Sequence, residues 1–243
     1  MRDIGEIVLG VLIALALGAI ATQIGWEIDV WRAKQAIGNE LGEIVGQGRE
    51  RQKIDGCIER KLDQVGAIID GAERAGRLPP VGRLGDPPFR TWSSGVWDAT
   101  RAAQIASQMD RGMQDDLSGV YQFVPILNDR TSREVDAWSS LYTIVGPGRP
   151  VTGSDITQMR SALAEARTAH RQILMATMYV NHLVSVLKLP LNAESAREYA
   201  GGPTSHYCGP IAPYAGERYG EAPFAKLRER LGSAMARSAV VAR

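Results

Sequence analysis

The strongest pattern along the chain is a run with no polar face. Residues 7–24 read IVLGVLIALALGAIATQI, eighteen positions without a charge. As a helix rising about 1.5 Å per residue, they cover roughly 27 Å, close to the thickness of a bilayer's hydrocarbon core. Polar side chains appear only at the end, at Thr22 and Gln23. Trp26 and Trp31 follow, and indoles favour the membrane–water interface. The run predicts a transmembrane anchor over residues 1–27. Two other readings compete with it. Ala19-Ile20-Ala21 fits a signal-peptidase site, but the only basic side chain before the run, Arg2, is offset by Asp3 and Glu6, and the run is long for a signal peptide. A buried core helix is the other, and a charge-free N-terminal run of this length argues against it.

Beyond the anchor the period changes. Between residues 28 and 75 there is no proline, and Ile37, Leu41, Ile44, Val45, Ile54, Ile58, Leu62, Val65, Ile68, Ile69 and Ala72 recur in steps of three and four, with a gap around Gly48 and Arg51. This predicts one long amphipathic helix continuing out of the membrane. Gly38, Gly42 and Gly46 form a stripe without side chains, the mark of either a close helix approach or a soft region. Residues 76–90, with Pro79-Pro80 and Pro87-Pro88, predict a rigid connector. A second helix is predicted over 93–109, with Ser93 or Ser94 as N-cap and Val96, Trp97, Ile105 and Met109 on its apolar side. Asp110-Arg111-Gly112 reads as a turn. A third helix starts near Met113 and is interrupted near Pro125. Thr131 and Glu134 fit a capping box that opens a further segment, ended by the Gly146–Pro150 turn. A fourth helix follows Ser154 and runs to about Lys188. The eight positions Leu41, Leu62, Trp97, Val120, Trp138, Leu163, Ile173 and Leu183 are expected to share one core. Residues 200–223 hold five glycines and four prolines and predict an extended strap. Residues 224–243 carry a short amphipathic stripe of Phe224, Leu227, Leu231, Ala234 and Met235. The chain is therefore expected to be all-α: an anchor (1–27), an elongated antiparallel helical bundle (28–199), and a strap with a short C-terminal helix (200–243).

Gly5-Glu6-Ile7-Val8-Leu9, Val11-Leu12-Ile13-Ala14-Leu15 and Trp26 together resemble the N-terminal anchor of uncharacterised bacterial single-pass membrane proteins, over about the first 35 residues. Those proteins often carry Asn-Trp-Asn-Glu after the anchor, where this chain has Gly25-Trp26-Glu27-Ile28. The resemblance implies a bacterial envelope protein and carries over no catalytic residue.

Composition narrows the function by exclusion. With 28 basic and 27 acidic residues the net charge is +1, which argues against a general nucleic-acid binder. The acidic pair Asp115-Asp116, read as lying at a helix start, points in two directions and makes no catalytic dyad. His170 and His182 fall about 120° apart on one helix and His206 lies in the strap, so no metal or cofactor site is expected. Gly146–Pro150 lacks the ending of a phosphate loop. Cys57 and Cys208 are the sole cysteines and a candidate disulfide that ties the strap to the first helix. Gly10, Ala14, Gly18 and Thr22 form a small-residue stripe, a candidate contact face between anchors. Residues 221–243 carry five basic and two acidic residues, and their amphipathic pattern suits a membrane surface, a partner, or a solvated tail. The expectation is a bacterial inner-membrane, single-pass protein with most of its chain in the periplasm. It is expected to serve as a non-enzymatic structural or accessory subunit, with a protein partner or a second copy engaged through the anchor and first helix. A sensory or small-ligand-binding periplasmic bundle is the alternative.

Overall fold

The computed structural model describes residues 2–187, 189–201 and 205–216. The fold is all-α and is organised by one helix, α1 (Arg2–Ala75), 74 residues long. At 1.5 Å per residue it extends about 110 Å. The remaining elements are α2 (Gly95–Ala102), α3 (Arg111–Tyr121), α4 (Phe123–Leu141), α5 (Gly153–Val186), α6 (Ala193–Ala200) and the single turn α7 (Ser205–Cys208). No strand occurs among the described residues; two isolated bridges, Arg77 to Pro150 and Val81 to Gly146, pin the proline-rich connector to the turn before α5.

The long helix divides in two by burial. Its first part stands free: Leu9, Leu12, Leu15, Leu17 and Ile20 are all more than half exposed. From Ala33 onward its apolar face is covered by the rest of the chain. Helix α5 runs antiparallel to it, because Arg160 reaches Asp70 and Glu73, Arg167 reaches Asp63, and His170 reaches Asp55. Helix α4 packs along α5 and is tied to α1 through the Arg51–Glu134 pair.

Seven of the eight residues expected to share a core are buried and Leu183 is half-buried, yet they do not form one cluster. Leu41, Trp97, Val120 and Ile173 belong to the cluster nearer the anchor, with Leu183 packed against it. Leu62, Trp138 and Leu163 belong to the far one. The gap in hydrophobic spacing around Gly48 and Arg51 is the boundary between them.

Several expected helix ends move, each for a local reason. Helix α2 stops at Ala102, short of 109, because Gln104 takes a left-handed conformation with φ 60°. The Ile105 amide then reaches back to the Thr100 carbonyl and the Gln104 amide to Arg101, closing the helix as a Schellman motif. Ile105 and Met109 still reach the core, through a 3-10 turn at Ala106–Gln108. Asp110, expected in a turn, is the N-cap of α3 and accepts from the Met113 amide. That places Asp115 and Asp116 beyond the first turn. Pro125 lies in the first turn of α4, where its missing N–H needs no partner, and the chain breaks before it at Gln122. Thr131 and Glu134 do not start a segment: α4 runs through them and both face inward. Helix α5 opens two residues before Ser154's place, with Thr152 and Asp155 forming a reciprocal capping box. Helix α6, not expected from the sequence, starts where Asn192 accepts from the amides of Glu194 and Ser195. The proposed helix within 224–243 lies outside the described residues.

Candidate functional site

The glycine stripe is a site of close backbone approach. A Cβ on Gly38 would sit 2.2 Å from the Pro190 carbonyl oxygen, one on Gly42 2.7 Å from that of Asn192, and one on Gly46 2.8 Å from that of Ala196. The missing side chains let segment 190–196 lie directly on α1. Arg90 locks the far edge of this seam with a two-pronged bond to Glu50, 2.8 and 2.7 Å, and lies 5.4 Å from the Tyr199 ring centre.

Between the two apolar clusters lies a buried polar layer. Arg51 and Glu134, 1% and 0% exposed, are joined by two hydrogen bonds of 3.1 and 2.7 Å. Arg51 also donates to the Pro88 carbonyl at 2.6 Å. His170, 1% exposed, shares a 2.9 Å hydrogen bond with Asp55 through Nε2, and its Nδ1 lies 3.5 Å from Glu134. Burial alone would raise the Glu134 carboxyl's pKa. The His170 imidazole beside it and the charge and hydrogen bonds of Arg51 outweigh it and hold the group below its ordinary range. Thr131 accepts from the Trp92 indole at 3.1 Å, which fastens the connector to the same layer. The layer joins α1, α4 and α5 through groups that apolar neighbours cannot satisfy, which fixes their register.

A second buried carboxylate, Glu40, holds the anchor-side end together. It accepts from Ser93 Oγ at 2.7 Å, the Val96 amide at 3.1 Å and the Tyr121 hydroxyl at 2.8 Å, with the Trp97 amide at 3.4 Å. The N-terminus of α2 is thus capped from α1: Ser94 stands at the expected N-cap position without a side-chain cap bond, and Ser93 Oγ accepts from the Gly95 amide at 3.2 Å. Tyr121's pKa is raised far above the ordinary value by burial first and by Glu40 second. Farther along α1, Lys61 is buried beside Gly85, and desolvation, with the charge of Arg83, lowers its pKa.

Cys57 and Cys208 are joined, closing a loop with a sequence separation of 151. The strap makes further contacts beside the bond: Tyr207 and Ile211 pack on the far cluster, and Ala212 exchanges backbone hydrogen bonds with Gly82 and Arg83.

Where α1 leaves its apolar run, Trp26 is half-buried and Trp31 is 62% exposed. Together with Glu27 and Lys34 they line an open groove of about 210 Å³ against Gln108 of the 3-10 turn. Gly10 and Gly18 meet nothing within 4 Å, and Thr22 donates to the Gly18 carbonyl. His182 is exposed, and the side chain of His206 lies outside the described residues. Among the described residues no three metal-ligating side chains come together.

Arg51, Asp55, Glu134, His170 and Glu40 were not singled out as a site by their sequence pattern. The signal was present as polar residues at core-facing positions: Arg51 in the spacing gap, Glu134 within a capping-box pattern, and His170 between Ala166 and Ile173 on an apolar face. Comparison with family models, with curated proteins and with solved structures finds no match to this chain.

Proposed function

We propose that the protein is a single-pass membrane protein whose helical domain acts as a structural or accessory subunit through protein contacts, without catalysis. The observation that carries this reading is the form of α1. An 18-residue stretch of mean hydropathy 2.2, with none of it buried, is long and apolar enough to cross a membrane. The same helix continues without a break into the bundle core. Such a helix couples the domain rigidly to its anchor and holds it at a fixed distance and orientation, as suits a part in an assembly.

The Cys57–Cys208 bond supports placing the domain on the oxidising side of a bacterial inner membrane, since disulfides persist there and not in a reducing cytosol. The polar residues met so far serve structure: Arg51, Glu134 and Glu40 are consumed by internal bonds and are closed to substrate. The reading is tested by trypsin treatment of intact spheroplasts carrying a C-terminal tag on this chain. Loss of the tag without lysis agrees with a periplasmic domain. Protection until lysis would refute that orientation.

A further inference from the structure

The end of the bundle beside the anchor carries a second concavity, distinct from the groove at Trp31. It is open, about 530 Å³, and lies between α2, the 3-10 turn and α3. Its lining includes Trp97, Arg101, Gln104, Ser107, Gln114 and Ser118, and no carboxylate. One cation, two amides and two hydroxyls therefore face the space with no negative charge among them. The Arg101 guanidinium makes no ion pair among the described residues, whereas Arg51, Arg90, Arg149, Arg160 and Arg167 are each bound to an acid.

The wall is built before any ligand arrives. Trp97 stacks on Tyr121 with ring centres 5.7 Å apart and planes 8° from parallel, and Glu40 holds Tyr121 from behind. Gln104 adds a separate indication. Its φ of 60° closes α2 in the left-handed region, where glycine is the residue of least cost. A side chain kept there places an amide on the pocket lining at the expense of backbone ease. The position in the fold completes the case, because Gln108 of the same 3-10 turn lines the groove with Trp26 and Trp31 just beyond the apolar run.

We propose that this pocket binds a phosphate ester, with Arg101 as the charged ligand, and that the source is the headgroup of an anionic phospholipid. The guanidinium matches a phosphate in charge and in its paired donors, and Gln104 and Ser118 supply neutral donors, while Ser107 and Gln114 donate to the backbone carbonyls of Gln104 and Met109 and brace the wall. A choline or ethanolamine cation finds no carboxylate in the lining, so the pocket selects net anionic headgroups over zwitterionic ones. The inference rests on the membrane-anchored reading above.

The test uses the full chain in uncharged detergent micelles, with native mass spectrometry after addition of phosphatidylglycerol, phosphatidylcholine or glycerol 3-phosphate. The wild type is expected to retain phosphatidylglycerol at least about tenfold better than phosphatidylcholine, and Arg101→Gln to lose that preference. Arg101→Lys should keep part of it, and Arg171→Gln, an exposed cation elsewhere, should keep all. Gln104→Gly should weaken retention while raising the melting temperature, a pair of effects that a purely structural role for Gln104 would not give. Arg101-dependent binding of glycerol 3-phosphate without retention of the lipid would support the phosphate chemistry and assign a soluble source. Equal retention of both lipids by the wild type with no binding of glycerol 3-phosphate, or retention unchanged in Arg101→Gln, would overturn the proposal. Release of the protein from membranes by alkaline carbonate would refute the anchor and leave the micelle result standing, so the two failures are distinguishable.

Discussion

Removing the Glu134 carboxylate is the sharpest single perturbation of the fold. Glu134 and Arg51 are together almost wholly out of water and satisfy each other twice. In Glu134→Ala the guanidinium keeps only the Pro88 carbonyl, a neutral acceptor. A buried charge left without its counter-ion costs about 3–5 kcal/mol, out of a total that is typically about 5–15 kcal/mol. For a domain of this size that corresponds to a fall in melting temperature on the order of 6–20 °C. The assay is thermal unfolding of the full chain in micelles, followed by circular dichroism with the disulfide intact. Arg51→Met/Glu134→Leu removes both charges at similar volume, and it should recover most of the loss. The same pair sets an acid limit. Glu134 titrates lower in the folded state than the ordinary value of 4.5, so the folded state favours its ionised form. That contribution is present in full above the unfolded pKa and is lost as pH falls below about 4.5, so the wild type should lose stability there faster than the double variant. A Glu134→Ala loss under 1 kcal/mol, or a double variant no better than the single one, would refute the reasoning.

Three further outcomes follow from the packing. Gly42→Ala should lower stability by about 1–3 kcal/mol because its Cβ would press on the Asn192 carbonyl, while Gly71→Ala, with nothing within 4 Å, should raise it by about 0.5–1 kcal/mol; melting curves that rank them the other way would contradict the close approach. Lys61→Met keeps the buried stem and removes an amine whose burial disfavours its charge, so stability at neutral pH should hold or rise, and a marked loss in chemical denaturation would show that the charge has a favourable partner. Cys208→Ser should open the strap to limited proteolysis near residue 208 and leave the helix content unchanged, since α1, α4 and α5 are held by the two clusters; a global loss of helix would show that the bond supports the core itself.

The long elements were legible in the sequence because their information is local. The charge-free run and the three-four spacing from Ile37 to Ala72 dictate α1, and the spacing from Ile156 to Val184 dictates α5. The glycine stripe left a close approach and a soft region equally open, because what decides between them, the Pro190 and Asn192 carbonyls, comes from a segment about 150 residues away. The capping box at Thr131 and Glu134 shows the limit of local rules. Both residues suit a helix start, yet they are claimed by Trp92 and Arg51 from distant elements, and tertiary bonding overrides the cap. Helix α2 ends early through Gln104, a residue with no common turn signature. The Arg101 pocket was illegible for the same reason, since α2, the 3-10 turn and α3 surround it only after each has docked on α1.

Alkaline carbonate extraction of native membranes decides whether the exposed apolar start of α1 is a membrane anchor continuous with the bundle. The full-length chain, with its N-terminus intact, should stay in the membrane pellet, and Leu12→Arg/Leu15→Arg should move a still-helical protein to the supernatant. Recovery of the wild type in the supernatant with a new N-terminus at Thr22 would contradict the anchor.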